Sequence, residues 1–216
     1  MVAVPIKPEY GPTLGRLLSP RWRAVSRGRR MLALFALGSL VALLLAAGLT
    51  LENPSYSQGG KMPFSFSYRN LYRVRAGPGE YVKIQRHGPG RVLEDSFAVE
   101  PLQLPRYSGA LSAELPVFAT GYIRELTRRY SDFVLRGEGK TKVNGVAAYA
   151  VMYTARVNGQ MLLGRDVLLV GQGRGQRDGV DIVMLTAPNA DPAVTTPLEV
   201  ATNGVLVRPL KTFTLG

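Results

Sequence analysis

The chain has 216 residues, 46% of them hydrophobic, and a formal net charge of +12. Since it contains no cysteine, disulfide bridges, thiol nucleophiles and zinc–thiolate sites are excluded, and a single histidine leaves little for other metal centres. The length allows one ordinary domain with a packed core beside a shorter N-terminal part.

Residues 1–30 are predicted to be a basic cytoplasmic tail. Six prolines and glycines interrupt its first 20 residues, so no regular element is expected there. The tail carries seven Lys and Arg residues and one acidic residue, Glu9, which gives it a net charge of 7 − 1 = +6. This is half of the net charge of +12 of the whole chain. Basic residues of this kind mark the cytoplasmic flank of a membrane segment, so the charge does not indicate nucleic acid, and we expect no nucleic-acid partner.

Met31–Leu51 is predicted to be a transmembrane helix. Its 21 residues carry no charge, and at the helical rise they span about 31 Å, the thickness of the bilayer core. Five arginines lie between Arg21 and Arg30. By the positive-inside rule the N-terminus is cytoplasmic and the C-terminal part is extracytoplasmic, which predicts a single-pass protein of the cell membrane.

A cleaved signal peptide is the competing interpretation of this segment, because Ala46, Ala47 and Gly48 follow the apolar run. The long apolar run and the long preceding tail favour an uncleaved signal anchor. A lipoprotein is excluded because no cysteine follows the run. Small residues recur every fourth position at Gly38, Ala42 and Ala46, a spacing that allows two membrane helices to pack closely. Alternatively, they are ordinary small residues of an apolar helix.

Residues 52–63 are predicted to be a polar linker rich in Pro and Gly. An α+β domain over residues 64–216 follows. Its first part shows runs of alternating polarity separated by Gly-Pro-Gly turns, which indicates antiparallel strands. These runs are Phe64–Tyr68, Leu71–Arg75, Tyr81–Arg86 and Arg91–Val99. Pro101–Tyr107 is predicted to be an irregular connection.

One amphipathic helix is predicted from about Ser112 to Tyr130. Its apolar and aromatic residues fall on one face, namely Leu115, Phe118, Ala119, Tyr122, Leu126 and Tyr130. Four strand runs come next, and Asn-Gly turns after the first two favour hairpins and therefore a meander. These runs are Phe133–Lys142, Val146–Val157, Gln160–Val170 and Val180–Ala187. Pro192–Asn203 is predicted to supply one or two helical turns, and the apolar end, with Leu210, Phe213 and Leu215, to pack back on the domain.

The order of elements predicts an antiparallel sheet covered by helices. Residues 62–216 resemble the PsbP-like α/β/α sandwich superfamily. The resemblance is carried by the FSFSYRNLYRV strands, by one helix before four meandering strands, and by the closing segment VRPLKTFTLG. The resemblance is one of architecture and transfers no site residue. It implies a domain that binds proteins or small ligands without catalysis.

Motifs for chemistry are absent from the sequence. Gly139-Lys140-Thr141 is not a phosphate loop, because that motif needs a glycine five positions earlier, where this chain has Val134. Gly171–Gly175 has the spacing GxGxG, whereas a dinucleotide-binding loop has GxGxxG and is followed by a helix. His87 has no metal-ligand or triad neighbours. We therefore predict no catalytic residue, no cofactor and no metal. The basic loop residues Arg174 and Arg177 are the candidates for a partner contact.

The predicted function is that of a membrane-anchored accessory or assembly protein whose extracytoplasmic domain binds a protein partner. The alternative is a tethered carrier or receptor for a small apolar or lipid-like ligand, held in a groove between the helix and the sheet. An enzyme is the least favoured interpretation.

Overall fold

The computed structural model describes residues 26, 28, 31–32, 35–40, 54–60, 62–105, 111–171 and 177–216. The chain divides into two compact units, Met1–Glu52 and Asn53–Gly216. In the first unit, residues 28, 31–32 and 35–40 are helical. Over the described ranges, no helix has both the length and the apolar character that a membrane crossing requires.

Most of the predicted span Met31–Leu51 lies outside the described residues, and so do Ala42 and Ala46 of the predicted packing stripe. Gly38 is helical, with open space where a side chain would be. The transmembrane helix and its packing against a second helix therefore stay predictions.

The second unit is built on two antiparallel sheets. A three-stranded sheet has the order β1-β2-β10, and a seven-stranded sheet has the order β3-β4-β5-β9-β8-β7-β6. In the described part of this unit, the α-helices are α1 and the short α2. The elements are β1 (Ser55–Gln58), β2 (Phe64–Ser67), β3 (Tyr72–Val74), β4 (Val82–His87), β5 (Leu93–Gln103), α1 (Leu111–Arg129), β6 (Ser131–Val143), β7 (Val146–Val157), β8 (Gln160–Val170), β9 (Asp178–Thr186), α2 (Val207–Lys211) and β10 (Thr214–Leu215).

Two Asn-Gly turns set the register of the meander β6–β7–β8. Asn144 and Gly145 have φ of 46° and 85°, and Asn158 and Gly159 have φ of 50° and 83°. Two consecutive positive φ angles define the hairpin turn whose twist matches the strands, and Asn-Gly is the pair that adopts it most readily. The turns therefore confirm the predicted meander, and β7 and β8 have the predicted bounds.

The large sheet buries both of its faces. One face packs against α1, through Leu115, Ala119 and Leu126. The opposite face packs against β2 and the C-terminal segment, where Phe213 lies between Phe64 and Phe66 at ring-centroid distances of 5.5 and 6.1 Å. The predicted α+β class with an antiparallel sheet is confirmed, and the apolar C-terminus packs back on the domain as predicted.

The predicted structure of three segments is wrong. Ser55–Gln58, placed in the linker, is strand β1, because its backbone pairs with β2 despite its polar side chains. β5 continues through Pro101 to Gln103, paired with β9, where an irregular connection was predicted. Residues 192–203 form turns, and the helical segment begins later, at Val207.

Candidate functional site

Two buried aspartates lie on the face of the large sheet that α1 covers. Asp166 of β8 pairs with Val183, and Asp181 of β9 pairs with Leu168. Because side chains alternate between faces along a strand, this register places Asp166, Leu168 and Asp181 on one face, with the two carboxyl groups as diagonal neighbours. Asp166 is 0% exposed and Asp181 is 3% exposed.

Tyr122 of α1 connects the two carboxyl groups. Its hydroxyl oxygen lies 2.6 Å from Asp166 Oδ2 and 2.5 Å from Asp181 Oδ2. A second hydroxyl, that of Tyr153 on β7, donates to Asp166 Oδ1 over 3.0 Å. We call Tyr122, Tyr153, Asp166 and Asp181 the carboxyl–tyrosine cluster. It lies among the apolar side chains that α1 and the sheet bury between them.

A glycine makes room for Tyr153. Gly164 is its cross-strand partner on β8, and a Cβ at Gly164 would overlap the Cε2 and Cζ atoms of the tyrosine ring. The ring therefore lies flat over the backbone of β8, and its hydroxyl reaches Asp166 two residues further along the strand. Tyr153 itself is 0% exposed, and the neighbouring rings of Tyr130 and Phe133 cover it.

Burial dominates the ionisation of the cluster. It raises the pKa of Asp166 to about 7, against hydrogen bonds from Tyr122 and Tyr153 that favour the charged form. It raises the pKa of Asp181 well above the ordinary value, and the neighbouring Asp166 raises it further. Burial also raises the pKa of the Tyr122 and Tyr153 hydroxyls, which therefore stay protonated and able to donate at neutral pH.

An open cleft of about 390 Å³ lies beside the C-terminal end of α1. Its apolar side consists of Ala98, Val183 and Leu185, side chains of β5 and β9. The remaining lining residues are mostly polar or charged. They come from the end of α1 and the start of β6, from β4 and the residues just before it, from β5, and from the end of β7 with its turn to β8. They include Glu80, Lys83, Ser96, Glu100, Arg129, Tyr130, Ser131, Arg156 and Asn158. We call this cavity the α1 cleft.

The cations of the α1 cleft are held by carboxylates. Arg129 donates to both carboxylate oxygens of Glu100, over 3.1 and 2.9 Å, and this contact raises the pKa of the guanidinium. The other two cations are also paired, Lys83 with Glu80 at 2.7 Å and Arg156 with Asp132 at 2.8 Å. A two-point Arg–carboxylate contact fixes the direction of both side chains, so this part of the rim is held in one arrangement.

Tyr130 links the cleft to the carboxyl–tyrosine cluster. It lines the cleft, and its ring stacks on Tyr153 with the centroids 5.9 Å apart. The cleft is therefore open to solvent on one side and borders the buried cluster on the other.

Arg177, one of the two predicted partner-contact residues, does not line the α1 cleft. Arg177 Nη1 donates to Pro105 O over 2.5 Å and to Glu114 Oε1 of α1 over 2.8 Å, so it holds the start of β9 against the helix. Arg174 is outside the described residues. The partner contact at these two arginines stays a prediction.

The predicted groove for an apolar ligand is filled in the described part of the domain. The buried side chains between α1 and the sheet contact one another, and they include Leu115, Ala119, Leu126, Val151, Tyr153 and Leu168. Smaller apolar depressions of about 180 and 280 Å³ lie along α1. A carrier of small apolar molecules would therefore have to use an open surface depression.

Sequence reasoning missed the carboxyl–tyrosine cluster, although a signal was present. Asp166 and Asp181 are single acidic residues inside strand segments that are otherwise almost entirely apolar, RDVLLV and VDIVML. A charged residue at a buried strand position needs a partner. Nothing in the sequence showed that the partner would be Tyr122 of α1, because the pairing requires knowing where the helix crosses the sheet. Among the described residues, no group of three or more His, Cys, Asp or Glu side chains is placed to hold a metal ion.

No protein-family model and no curated protein sequence matches the chain. Similar solved structures include LpqN of Mycobacterium tuberculosis, a protein involved in cell envelope biogenesis, with a TM-score of 0.52, 9% identity and coverage of 75% of this chain and 90% of LpqN. They also include CyanoP, the PsbP of Synechocystis sp. PCC 6803, with a TM-score of 0.48, 14% identity and coverage of 76% and 92%.

The Ran-binding protein Mog1p of Saccharomyces cerevisiae is similar at a TM-score of 0.47, with 12% identity and coverage of 76% of this chain and 96% of Mog1p. The architecture-level resemblance to PsbP-like proteins that the order of elements predicted is confirmed. With identities this low, the likeness concerns the fold alone.

Proposed function

We propose that this chain is a single-pass membrane protein whose extracytoplasmic domain binds a protein partner through the α1 cleft, as an accessory or assembly subunit without catalytic activity. The observation that carries the proposal is the α1 cleft itself, a solvent-open pocket with an apolar side and a paired, charged rim.

This construction suits a protein interface. Binding energy in such interfaces concentrates where an apolar or aromatic anchor of the partner fills a pocket, while surrounding polar groups exclude water and fix the orientation. Ala98, Val183 and Leu185 offer the apolar contact. Arg129 and Glu100 offer charged groups whose directions are already fixed, which reduces the entropy lost on binding.

The acidic residues support binding over catalysis. The two carboxyl groups with the largest rise in pKa, those of Asp166 and Asp181, lie beneath α1, where side chains cover them. A general acid or base must reach the proton that it transfers. The carboxylates at the cleft, Glu80 and Glu100, are already paired with cations.

The membrane anchor is supported by the sequence. Met31–Leu51 carries no charge, and five arginines precede it. The likeness to LpqN concerns the fold, so it does not name the partner, although a role in the cell envelope would agree with an exported, membrane-held domain.

Filling the α1 cleft is expected to abolish partner binding without unfolding the domain. Ser131 lies exposed at the cleft, and tryptophan at this position would occupy the space that the partner needs. Ser131→Trp should therefore lose the partner that co-purifies with the wild-type chain in mild detergent, while its thermal unfolding midpoint stays close to that of the wild type.

The matched control is Leu198→Trp, which adds the same ring at an exposed position that does not line the cleft. This variant should keep the partner in wild-type amounts. Retention of the same partner by Ser131→Trp would refute the cleft as the binding site. Purification of the wild type with no stoichiometric partner would count against the accessory role as a whole.

The orientation of the chain has its own test. A reporter enzyme that is active only outside the cytoplasm, fused after Gly216, is expected to be active, because the arginines ahead of Met31 hold the N-terminus inside. A fluorescent protein that matures only in the cytoplasm, fused at the same place, is the reciprocal control and should stay dark. The opposite pair of results would place the domain in the cytoplasm and overturn the proposed location.

A further inference from the structure

The hydrogen bonds of the carboxyl–tyrosine cluster require one more proton than the tyrosines supply. The Tyr122 hydroxyl has a single proton, yet its oxygen lies 2.6 Å from Asp166 Oδ2 and 2.5 Å from Asp181 Oδ2. An ionised carboxylate only accepts hydrogen bonds, so Tyr122 can donate to one of them and must accept from the other. One of the two carboxyl groups is therefore a neutral acid.

The surroundings assign the proton to Asp181. Asp166 has two hydroxyl groups directed at it, from Tyr122 and Tyr153, which suits a charged carboxylate. Asp181 Oδ1 is buried without a hydrogen-bond partner among the described residues. An unpartnered buried oxygen costs far less free energy on a neutral acid than on a carboxylate.

We propose that Asp166, Tyr122 and Asp181 form a buried proton-binding site, in which one proton on Asp181 attaches α1 to the sheet, and that loss of this proton at alkaline pH weakens the attachment. The site goes beyond the proposed binding function and does not depend on it.

Charged and titratable groups from each neighbouring element face this site. Glu100 of β5 disfavours ionisation of both aspartates, while Arg129 of α1 favours it. Tyr130 follows α1, and Tyr153 lies on β7; both hydroxyls have a pKa raised by burial and stay neutral at physiological pH. Glu100 and Arg129 pair with each other, so their effects on the aspartates largely cancel and burial decides the balance.

The direction of the pH effect follows from the proton that the folded cluster holds on Asp181, whose pKa is raised by burial. In the unfolded chain an aspartate has its ordinary pKa of about 4. Between that value and the raised pKa, the folded protein binds more protons than the unfolded chain. The stability therefore falls as the pH rises through this window, and the unfolding constant grows up to about tenfold per pH unit for each such group.

Asp181→Asn tests the site. An asparagine amide can donate to Tyr122 as the acid does, but it has no proton to lose. We would measure urea unfolding of the full chain in mild detergent, by circular dichroism, between about pH 6 and pH 8. From the lower to the higher pH, the unfolding constant of the wild type is expected to rise by a larger factor than that of Asp181→Asn. The ratio of the two factors should be about ten or more.

Asp132→Asn is the matched control, because Asp132 is exposed and paired with Arg156 outside the cluster. It should keep the wild-type dependence on pH. A second readout does not require a variant: the infrared carbonyl band of a protonated carboxylic acid should be present in the wild type near neutral pH and disappear in Asp181→Asn.

Two results would overturn the proposal. One is a pH dependence of unfolding that Asp181→Asn leaves unchanged. The other is a wild-type spectrum without the carboxylic acid band, with every aspartate carboxyl ¹³C resonance titrating near the ordinary pKa. If Asp181→Asn fails to fold, the infrared and ¹³C measurements on the wild-type protein still decide the question.

Discussion

Replacing Phe213 by alanine is expected to lower the free energy of unfolding of the domain by about 3–5 kcal/mol, the usual cost of removing a buried phenylalanine ring. Phe213 is 1% exposed and stacks on Phe64 and Phe66 of β2. Alanine would leave a cavity there. The loss would be measured by urea unfolding of the full chain in mild detergent.

The same substitution is expected to loosen the small sheet. Phe213 directly precedes β10, and its carbonyl accepts a hydrogen bond from the Asn144 side chain over 2.6 Å. The amide of Gly216, which donates to Pro63 O over 2.9 Å, should exchange with solvent faster in the variant.

Leu198→Ala is the control for this prediction. Leu198 is 56% exposed, so its truncation removes little buried surface and should change the stability by less than about 0.5 kcal/mol. A loss below about 1 kcal/mol for Phe213→Ala would show that the C-terminal segment contributes little to the core.

The fold was predictable wherever local signals and burial agreed. The Asn144-Gly145 and Asn158-Gly159 turns set the hairpins, and the alternating runs gave β7 and β8 their correct bounds. In contrast, β1 was missed because its residues, Ser-Tyr-Ser-Gln, carry almost no apolar pattern and are held by pairing with β2. Backbone pairing with the next strand does not require apolar side chains, so it leaves no apolar pattern in these four residues.

The candidate sites were less predictable than the fold. The α1 cleft forms where the end of α1 meets β4, β5 and the β7–β8 turn, so its residues are spread from Glu80 to Leu185. The carboxyl–tyrosine cluster depends on the register of β8 and β9 and on the position of Tyr122 above them. Both arise from tertiary packing, which no local spacing of residues encodes.

Gly164 shows how closely the cluster depends on packing. Replacing it by alanine is expected to lower the free energy of unfolding by about 2–4 kcal/mol, because overpacking of the core adds to the loss of a buried hydrogen bond. The new methyl group would overlap the ring of Tyr153, which has no space to move since it is 0% exposed and covered by Tyr130 and Phe133.

Displacement of the ring would also move the Tyr153 hydroxyl away from Asp166 Oδ1, 3.0 Å away in the native fold. The Asp166 carboxylate would then have lost one of its two hydroxyl donors. Since those donors favour its charged form, the pKa of Asp166 should rise further in Gly164→Ala. Urea unfolding would measure the stability, and ¹³C NMR of the aspartate carboxyl groups would follow the pKa.

Gly139→Ala on β6 is the matched control, because a methyl group there meets open space and the backbone of Gly139 does not have a positive φ. It should change the stability by less than about 0.5 kcal/mol and leave the Asp166 resonance in place. A Gly164→Ala protein as stable as the control would mean that Tyr153 can move aside at little cost. In that case the hydrogen bond from Tyr153 to Asp166 would not be needed to hold the cluster together.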